Sequence, residues 1–316
     1  MAVKRSDSRL FDLQEDKAAE ALLRLKLQVG AAAVAVAVFL FASKIAAYVV
    51  TGSIGLLGSA LDSAADAAAS TLIFLAMRYG GRPPDFDHRF GHGKAESIAA
   101  LVQAVVMVFS AGFLVFQALA RLLDPRPIEA GLVGILVCLL AIVVTLGLVA
   151  YQRRVLARVQ STAIAADNLQ YETDVLLNGA AIAGIGASVY LGFGAADALI
   201  GLAIAGYLAF GATRVFKTAF NELTDRELAP GQRDRIKGII EGHPQVLGFH
   251  DLRTRRAGTF SFVQVHVEID PSLSFVASHQ VADEVERMIE GAVPNTEAIV
   301  HADPAGLEHV HDILTS

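Results

Sequence analysis

The sequence predicts a polytopic α-helical membrane protein with six transmembrane helices and a small α+β domain after them. Three observations predict it. Six apolar runs fall between residues 27 and 216, each close to the ~20 residues that cross a hydrocarbon core about 30 Å thick. Of 316 residues, 54% are hydrophobic and 18% charged, and the mean hydropathy is +0.50; a soluble domain carries nearer ~25% charge. From residue 221 the composition changes to that of a soluble domain.

Residues 1–24 mix Lys4, Arg5, Arg9, Lys17 and Arg24 with Asp7, Asp12, Glu15, Asp16 and Glu20. They read as a cytoplasmic tail ending in a short amphipathic start, with no cleavable signal. The apolar, membrane-spanning domain covers 25–220. Its first span is Leu27 to Val50, whose one charge, Lys44, lies near an end and is expected to snorkel or pair. After Thr51-Gly52-Ser53 comes span two, Ile54 to Tyr79, then a polar loop to Lys94. Span three, Ser97 to Ala120, is uncharged. A turn with Pro125 and Pro127 leads to span four, Ala130 to Ala150. Span five is expected from about Ser161 to Tyr190 and span six from Asp197 to Phe216, separated by Gly192-Phe193-Gly194. Lys and Arg concentrate in the tail, in the loops after spans two and four, and at the end of span six. By the positive-inside rule both termini are then cytoplasmic.

The soluble part, 221–304, is patterned helix (231–241), strand (247–254), strand (259–269), helix (278–290) and strand (297–301). Val281, Val285, Met288 and Ile289 are expected to face inward. Helices on one face of a small sheet make a modest core, and such a domain gains from dimerisation or metal. Residues 305–316 form a tail. The net charge of -6 argues against a nucleic-acid binder, and the single cysteine, Cys138, excludes a disulfide framework and a Cys-based metal site.

Asp62 and Asp66 stand four residues apart in span two, which stacks both carboxylates on one helix face, roughly 6 Å apart along the axis. A charge at mid-bilayer costs about 2.5 to 3.5 kcal/mol even on the lenient scale. A solvated acidic face is excluded, because the flanking residues are apolar on every side. The pair therefore reads as an intramembrane cation site. Gln170 and Asp174 repeat the spacing on span five, and two such pairs can close a site of three carboxylates and one amide oxygen, a donor set for hard cations and Mn²⁺. Asp167 is expected at the cytoplasmic mouth. In the loop after span two, Asp85, His88 and His92 have the spacing of a metal clip, although loop histidines are more often solvated. Seven of the nine histidines follow residue 221, five of them in the soluble part and two in the tail. His250 and His266 sit on strands, His279 opens a helix, and His301 with Asp303 ends the last strand, which favours a shared metal site. His309 and His311 are tail residues, and His243, before Pro244, is a turn residue.

Together these residues resemble the cation diffusion facilitator family, nearest to its bacterial branch of dimeric zinc and ferrous-iron efflux transporters. The likeness rests on Leu61-Asp62-Ser63-Ala64-Ala65-Asp66, Phe90-Gly91-His92-Gly93-Lys94-Ala95-Glu96, Tyr171-Glu172-Thr173-Asp174 and His250-Asp251-Leu252-Arg253-Thr254-Arg255. Gln264-Val265-His266 and His301-Ala302-Asp303-Pro304 add to it. The resemblance implies a transport site at Asp62, Asp66 and Asp174, and a loop site at Asp85, His88 and His92. It implies a binuclear site at His250, His266, His279, His301 and Asp303, that aspartate bridging two ions. It implies a charge pair of Lys94 with Asp225 that holds two protomers together, and a metallochaperone-like soluble fold. Gln170 replaces the family's histidine. An amide exchanges no proton at physiological pH, and loss of imidazole weakens preference for Zn²⁺ relative to Fe²⁺, Mn²⁺ or other harder ions.

The function so implied is efflux of divalent metal ions (Zn²⁺, Fe²⁺, Mn²⁺ or Co²⁺) in exchange for protons, by a homodimer in the bilayer of a bacterial cytoplasmic membrane. It is not an enzyme. An intramembrane aspartyl hydrolase finds no further nucleophile near span two. An importer, a channel and a membrane-anchored metal sensor remain as alternatives, because paired carboxylates give no direction.

Overall fold

The computed structural model describes residues 4–52, 54–123, 132–191 and 196–306. The turn with Pro125 and Pro127, the Gly192-Phe193-Gly194 turn, and His309 and His311 lie outside these residues. Six long helices come first: α1 (Lys4–Thr51), α2 (Ile54–Gly80), α3 (Lys94–Leu123), α4 (Leu132–Leu156), α5 (Thr162–Leu191) and α6 (Ala196–Leu223). Then follow α7 (Pro230–Glu241), β1 (Gly248–Ala257), β2 (Phe260–Ile269), α8 (Phe275–Ala292) and β3 (Thr296–Pro304). Two units result, one of residues 22–220 and one of 1–21 with 221–316.

The N-terminal segment is helical from Lys4, continuous with the first span. No Gly or Pro interrupts the chain before Gly30, so nothing breaks the helix. Its end is marked by Gly52, whose φ of 67° is the left-handed conformation of a helix C-cap; its N–H donates to the Tyr48 carbonyl at 2.7 Å. Among the described residues five helices are long and apolar enough to cross a membrane, in α1, α2, α3, α4 and α6. Helix α5 has the length, 30 residues, but its first half carries Asp167, Glu172 and Asp174, which lowers its apolarity.

The 22–220 unit packs through small residues. Ala33, Ala37, Ala60, Ala99, Ala100, Ala104, Ala163 and Ala166 are all buried, which lets the helices approach closely. The outward surface is apolar: Phe109, Phe116 and Val143 are 75%, 68% and 68% exposed. Left in water that surface is unfavourable, and in hydrocarbon it is solvated. Lys26 on α1 and Glu96 on α3 form a buried ion pair at 2.5 Å, and Ser161 donates to the other Glu96 oxygen at 2.6 Å. Removing one partner of such a pair strands a buried charge.

In the soluble unit the three strands form one sheet, β1-β2-β3, with β1 antiparallel and β3 parallel to β2. The crossover between β2 and β3 is α8, and α7 packs beside it. Along β2, Val263, Val265, Val267 and Ile269 turn to the helices, where they meet Ile236, Ile240, Val281, Val285 and Ile289. The opposite face therefore carries Gln264, His266 and Glu268 by strand alternation. Met288 was expected inward and is 41% exposed. It falls at the margin of the α8 stripe, which Val281, Val285 and Ile289 already fill.

Candidate metal sites

In the helical unit, α2 presents Asp62 and Asp66, and α5 presents Gln170 and Asp174. Gln170 Nε2 donates to Asp66 Oδ1 at 3.1 Å and to Asp174 Oδ1 at 3.4 Å. One amide thus draws together carboxylates from two helices. These four residues line a cavity of about 1030 Å³, with Thr145, Asn178 and Lys44 also on its wall. Among the described residues the three carboxylates do not all come within 4.8 Å of one another; Asp62 takes no part in the Gln170 bridge and is exposed.

Asp167 does not face a cytoplasmic mouth. It is 3% exposed. Ser70 Oγ donates to its Oδ1 at 2.8 Å and Gln152 Nε2 to its Oδ2 at 2.7 Å. Asn168 supports Gln152 in turn, and Tyr171 OH meets Ser70 Oγ at 2.8 Å and donates to the Ala33 carbonyl at 3.1 Å. This network ties α5 to α1, α2 and α4 and fixes the helix one turn before Gln170. Both carboxylate oxygens are satisfied, which is why burial is tolerated. Lys44 is buried and held by neutral partners: its Nζ donates to Ser63 Oγ at 2.7 Å and the Ser59 carbonyl at 3.2 Å.

In the α2–α3 loop, Asp85, His88 and His92 have ligand atoms within 4.8 Å of one another. The turn is organised by Asp85, whose Oδ1 accepts from the His88 and Asp87 amides at 2.7 and 3.0 Å. Its two oxygens then reach His88 Nδ1 at 3.2 Å and His92 Nε2 at 3.1 Å. His92 is buried edge-on against Tyr79, ring centroids 4.7 Å apart, and its Nδ1 has no hydrogen-bond partner among the described residues. A buried orphan nitrogen beside a convergent carboxylate and imidazole fits a cation ligand set. The His88 backbone amide, above all, holds the Asp85 carboxyl below its ordinary 3.8. A lowered carboxylate stabilises the turn fully above that value and ceases to do so only as pH falls through the lowered one. We expect NMR titration of the Asp85 carboxyl carbon to give a midpoint under 3.8. A midpoint at or above it would mean the turn is not held this way.

In the soluble unit, strand register does the work. His250 on β1 is paired with His266 on β2, and His266 with His301 on β3, so three imidazoles form one row across the sheet. Their ring centroids are 5.2 and 4.9 Å apart. Glu268 and Asp303 form the next row. Asp303 is 11% exposed in its side chain and uses both oxygens: Oδ2 lies 2.8 Å from His266 Nδ1 and 3.5 Å from His250 Nε2, and Oδ1 lies 3.1 Å from His301 Nε2. The ligand atoms of His250, His266 and Asp303 lie within 4.8 Å of one another, a set that fits one cation, while His301 meets the other Asp303 oxygen. A bulge follows His250, with Asp251 at φ 51° gripping Arg253 at 2.8 Å; such bulges re-aim side chains beside sites.

His279 is not brought into this row. It lies on α8, 69% exposed, 3.7 Å from Asp283. Glu268 is an addition: its Oε1 is 3.3 Å from His250 Nδ1. Its position two residues after His266 on one strand face was the signal. His243 is buried in its turn, its Nδ1 accepting from the Gln245 amide at 3.3 Å and its Nε2 3.4 Å from Glu284. Lys94 opens α3, and Asp225 pairs with Arg255 at 3.5 Å.

Residues 31–224 match the cation efflux transmembrane domain, and residues 228–305 match the cytoplasmic domain of cation efflux proteins. The cation-efflux pump FieF of Klebsiella pneumoniae is 42% identical over 264 residues, 84% of this chain and 88% of the relative. FieF of Shigella flexneri serotype 5b is 42% identical over 284 residues, covering 90% and 94%; that of Escherichia coli K12 is 41% identical with the same coverage. The soluble part also matches the metal-bound C-terminal domain of the CzcD transporter from Thermotoga maritima, at 24% identity over 25% of this chain and 93% of that one, TM-score 0.24. By the match of both its domains and by its likeness to these pumps over most of its length, the chain belongs to the cation efflux, or cation diffusion facilitator, family, in its FieF branch.

Proposed function

We propose that this chain exports divalent first-row metal ions from the cytoplasm by proton antiport, as a homodimer of six-span protomers in the cytoplasmic membrane with both termini inside. Helix α5 is the sixth span. The observation that carries the reading is the Gln170 amide held between Asp66 and Asp174 on a cavity wall inside an apolar helical unit. Those N–H donors stand where a cation would. On metal entry the carboxylates take the ion, and Gln170 turns its oxygen to it or anchors a bound water. Asp62, one turn along α2, completes the set as the helices shift. Exchanged protons ride on the aspartates, since an amide carries none, and clustered carboxylates can bind protons with coupled, raised affinity. Rocking the α2 and α5 ligand pair against the remaining helices would expose the site to each side in turn.

The Asp85, His88 and His92 loop and the His250, His266, His301 and Asp303 row are proposed as further metal sites, the second acting as sensor and dimer staple. Lys94 and Asp225 are proposed to pair between protomers. The test is metal flux into proteoliposomes under an imposed pH gradient, comparing Zn²⁺, Fe²⁺, Mn²⁺ and Co²⁺. Flux that follows the gradient supports antiport. No flux for any ion, with metal still bound by the soluble unit, would favour a sensor. Gln170→His should shift the competition ratio toward Zn²⁺ over Mn²⁺ by about tenfold, since imidazole suits zinc better than an amide does; an unchanged ratio removes Gln170 from the ligand set.

A further inference from the structure

We propose that Lys44 is a built-in counter-cation of the carboxylate cavity, a positioning residue that sets how weakly the substrate is held. The inference rests on the export reading above. Among the described residues that line the cavity, Asp62, Asp66 and Asp174 are the acidic side chains and Lys44 is the one basic side chain. The lysine is 7% exposed on α1. Its ammonium donates to Ser63 Oγ and to the Ser59 carbonyl on α2. Ser59, Ser63, Asp66 and Ser70 follow one another at i, i+4, i+7 and i+11, one stripe of the helix. The ammonium is thereby parked about one turn, roughly 5 Å of axial rise, from Asp66. No Lys44 nitrogen lies within 4.0 Å of a carboxylate oxygen among the described residues, so the charge is near the ligands without occupying them.

A simple anchoring role does not account for this arrangement. Lys44 is seven residues from the end of α1 at Thr51, and an interfacial lysine would extend toward that end. This one crosses to α2 and is enclosed. A buried ammonium is costly unless opposed by negative charge, and three carboxylates in a low-dielectric cavity are costly without positive charge. Each tolerates the other once the metal has left. When the metal is present, a third positive charge beside the dication weakens its hold. An exporter needs both effects, because substrate must be released and the emptied site must return.

The experiment compares wild type, Lys44→Met and Lys44→Arg in full-length proteoliposomes, reading KM and kcat for Zn²⁺ and Mn²⁺. Methionine keeps the stem and removes the charge. We expect its KM to fall about tenfold, from the lost repulsion between near charges, with kcat also falling as release slows. Arginine should keep KM within about threefold of wild type, since it keeps the charge. A Met variant with KM unchanged or raised overturns the proposal, as a purely structural lysine would lower kcat or yield without tightening substrate. If Lys44→Met fails to give a monodisperse dimer, Ser63→Ala reads the same charge: with its Oγ anchor removed the ammonium can reach Asp62 and Asp66, and KM should rise several-fold. An unchanged KM there overturns the proposal equally. If wild type moves no ion at all, the export reading fails separately, and Zn²⁺ titration of the full-length detergent dimer decides the counter-cation claim, tighter binding in Lys44→Met supporting it and identical isotherms refuting it.

Discussion

Asp66→Ala should reduce metal flux by more than about 100-fold for every ion transported. Weakening a residue that merely supports a metal ligand costs about 10–100-fold in affinity, and Asp66 is itself the carboxylate to which Gln170 is hydrogen-bonded. The substitution removes an acceptor from that amide and a carboxyl group from a cavity wall that holds three. Stopped-flow uptake with a metal-sensitive dye in proteoliposomes would read it. The soluble unit provides the internal control, because its ligand row is built from strands that α2 does not contribute to. Metal binding there should therefore persist while flux is lost. Flux within about tenfold of wild type would move the transport site away from Asp66. Loss of both flux and soluble-unit binding would instead report misfolding, which size-exclusion of the variant would reveal.

Asp62→Ala should give a smaller loss than Asp66→Ala if the ion is first held where Gln170 bridges the two helices, since Asp62 stands outside that pair. The asymmetry could not be read from the sequence. An i, i+4 pair places both carboxylates on one face, but only the position of α5 decides which of them is met. The pair itself was legible because an apolar helix has no structural use for two carboxylates. The burial of Asp167 is illegible in the sequence for the converse reason. A polar residue near a predicted helix start looks solvated, and its burial depends on Ser70 and Gln152, two neutral residues on other helices. Neither announces itself in a hydrophobic pattern.

The soluble unit shows the same division. The placement of the histidines on strands was legible. That His250, His266 and His301 form one row was not, because register is set by pairing between strands distant in sequence. His279 was expected to open a helix beside the site. The helix starts earlier: Ser274 is its N-cap, accepting from the Ala277 amide at 3.3 Å, and α8 begins at Phe275. His279 is thus in the second turn, four residues before Asp283, on an exposed face. A boundary error of three residues rotates a side chain by most of a helical turn. Glu268 was missed because a glutamate on an exposed strand face is ordinary until its neighbour in the row is known.

That geometry makes a prediction that the spacing of the histidines alone would not. Residues 221–316 contain a closed apolar core from α7, α8 and the three strands, so the fragment is expected to fold by itself. Saturation to about 100 times Kd should stabilise it by roughly 2.7 kcal/mol, and a domain of this size shifts by about 4–8 °C per kcal/mol, so Zn²⁺ should raise its melting temperature by roughly 10–20 °C. His266→Ala and Asp303→Ala should each remove most of that rise, because Asp303 contacts all three imidazoles and His266 is the middle one. His279→Ala should keep most of it. Differential scanning calorimetry of the four fragments with and without Zn²⁺ decides the matter. If His279→Ala loses as much as His266→Ala, the ligand set includes a histidine that this chain by itself leaves facing Asp283, and a second protomer must bring it to the row. If no fragment responds to metal, the row is a packed sheet surface and its histidines have no sensing role.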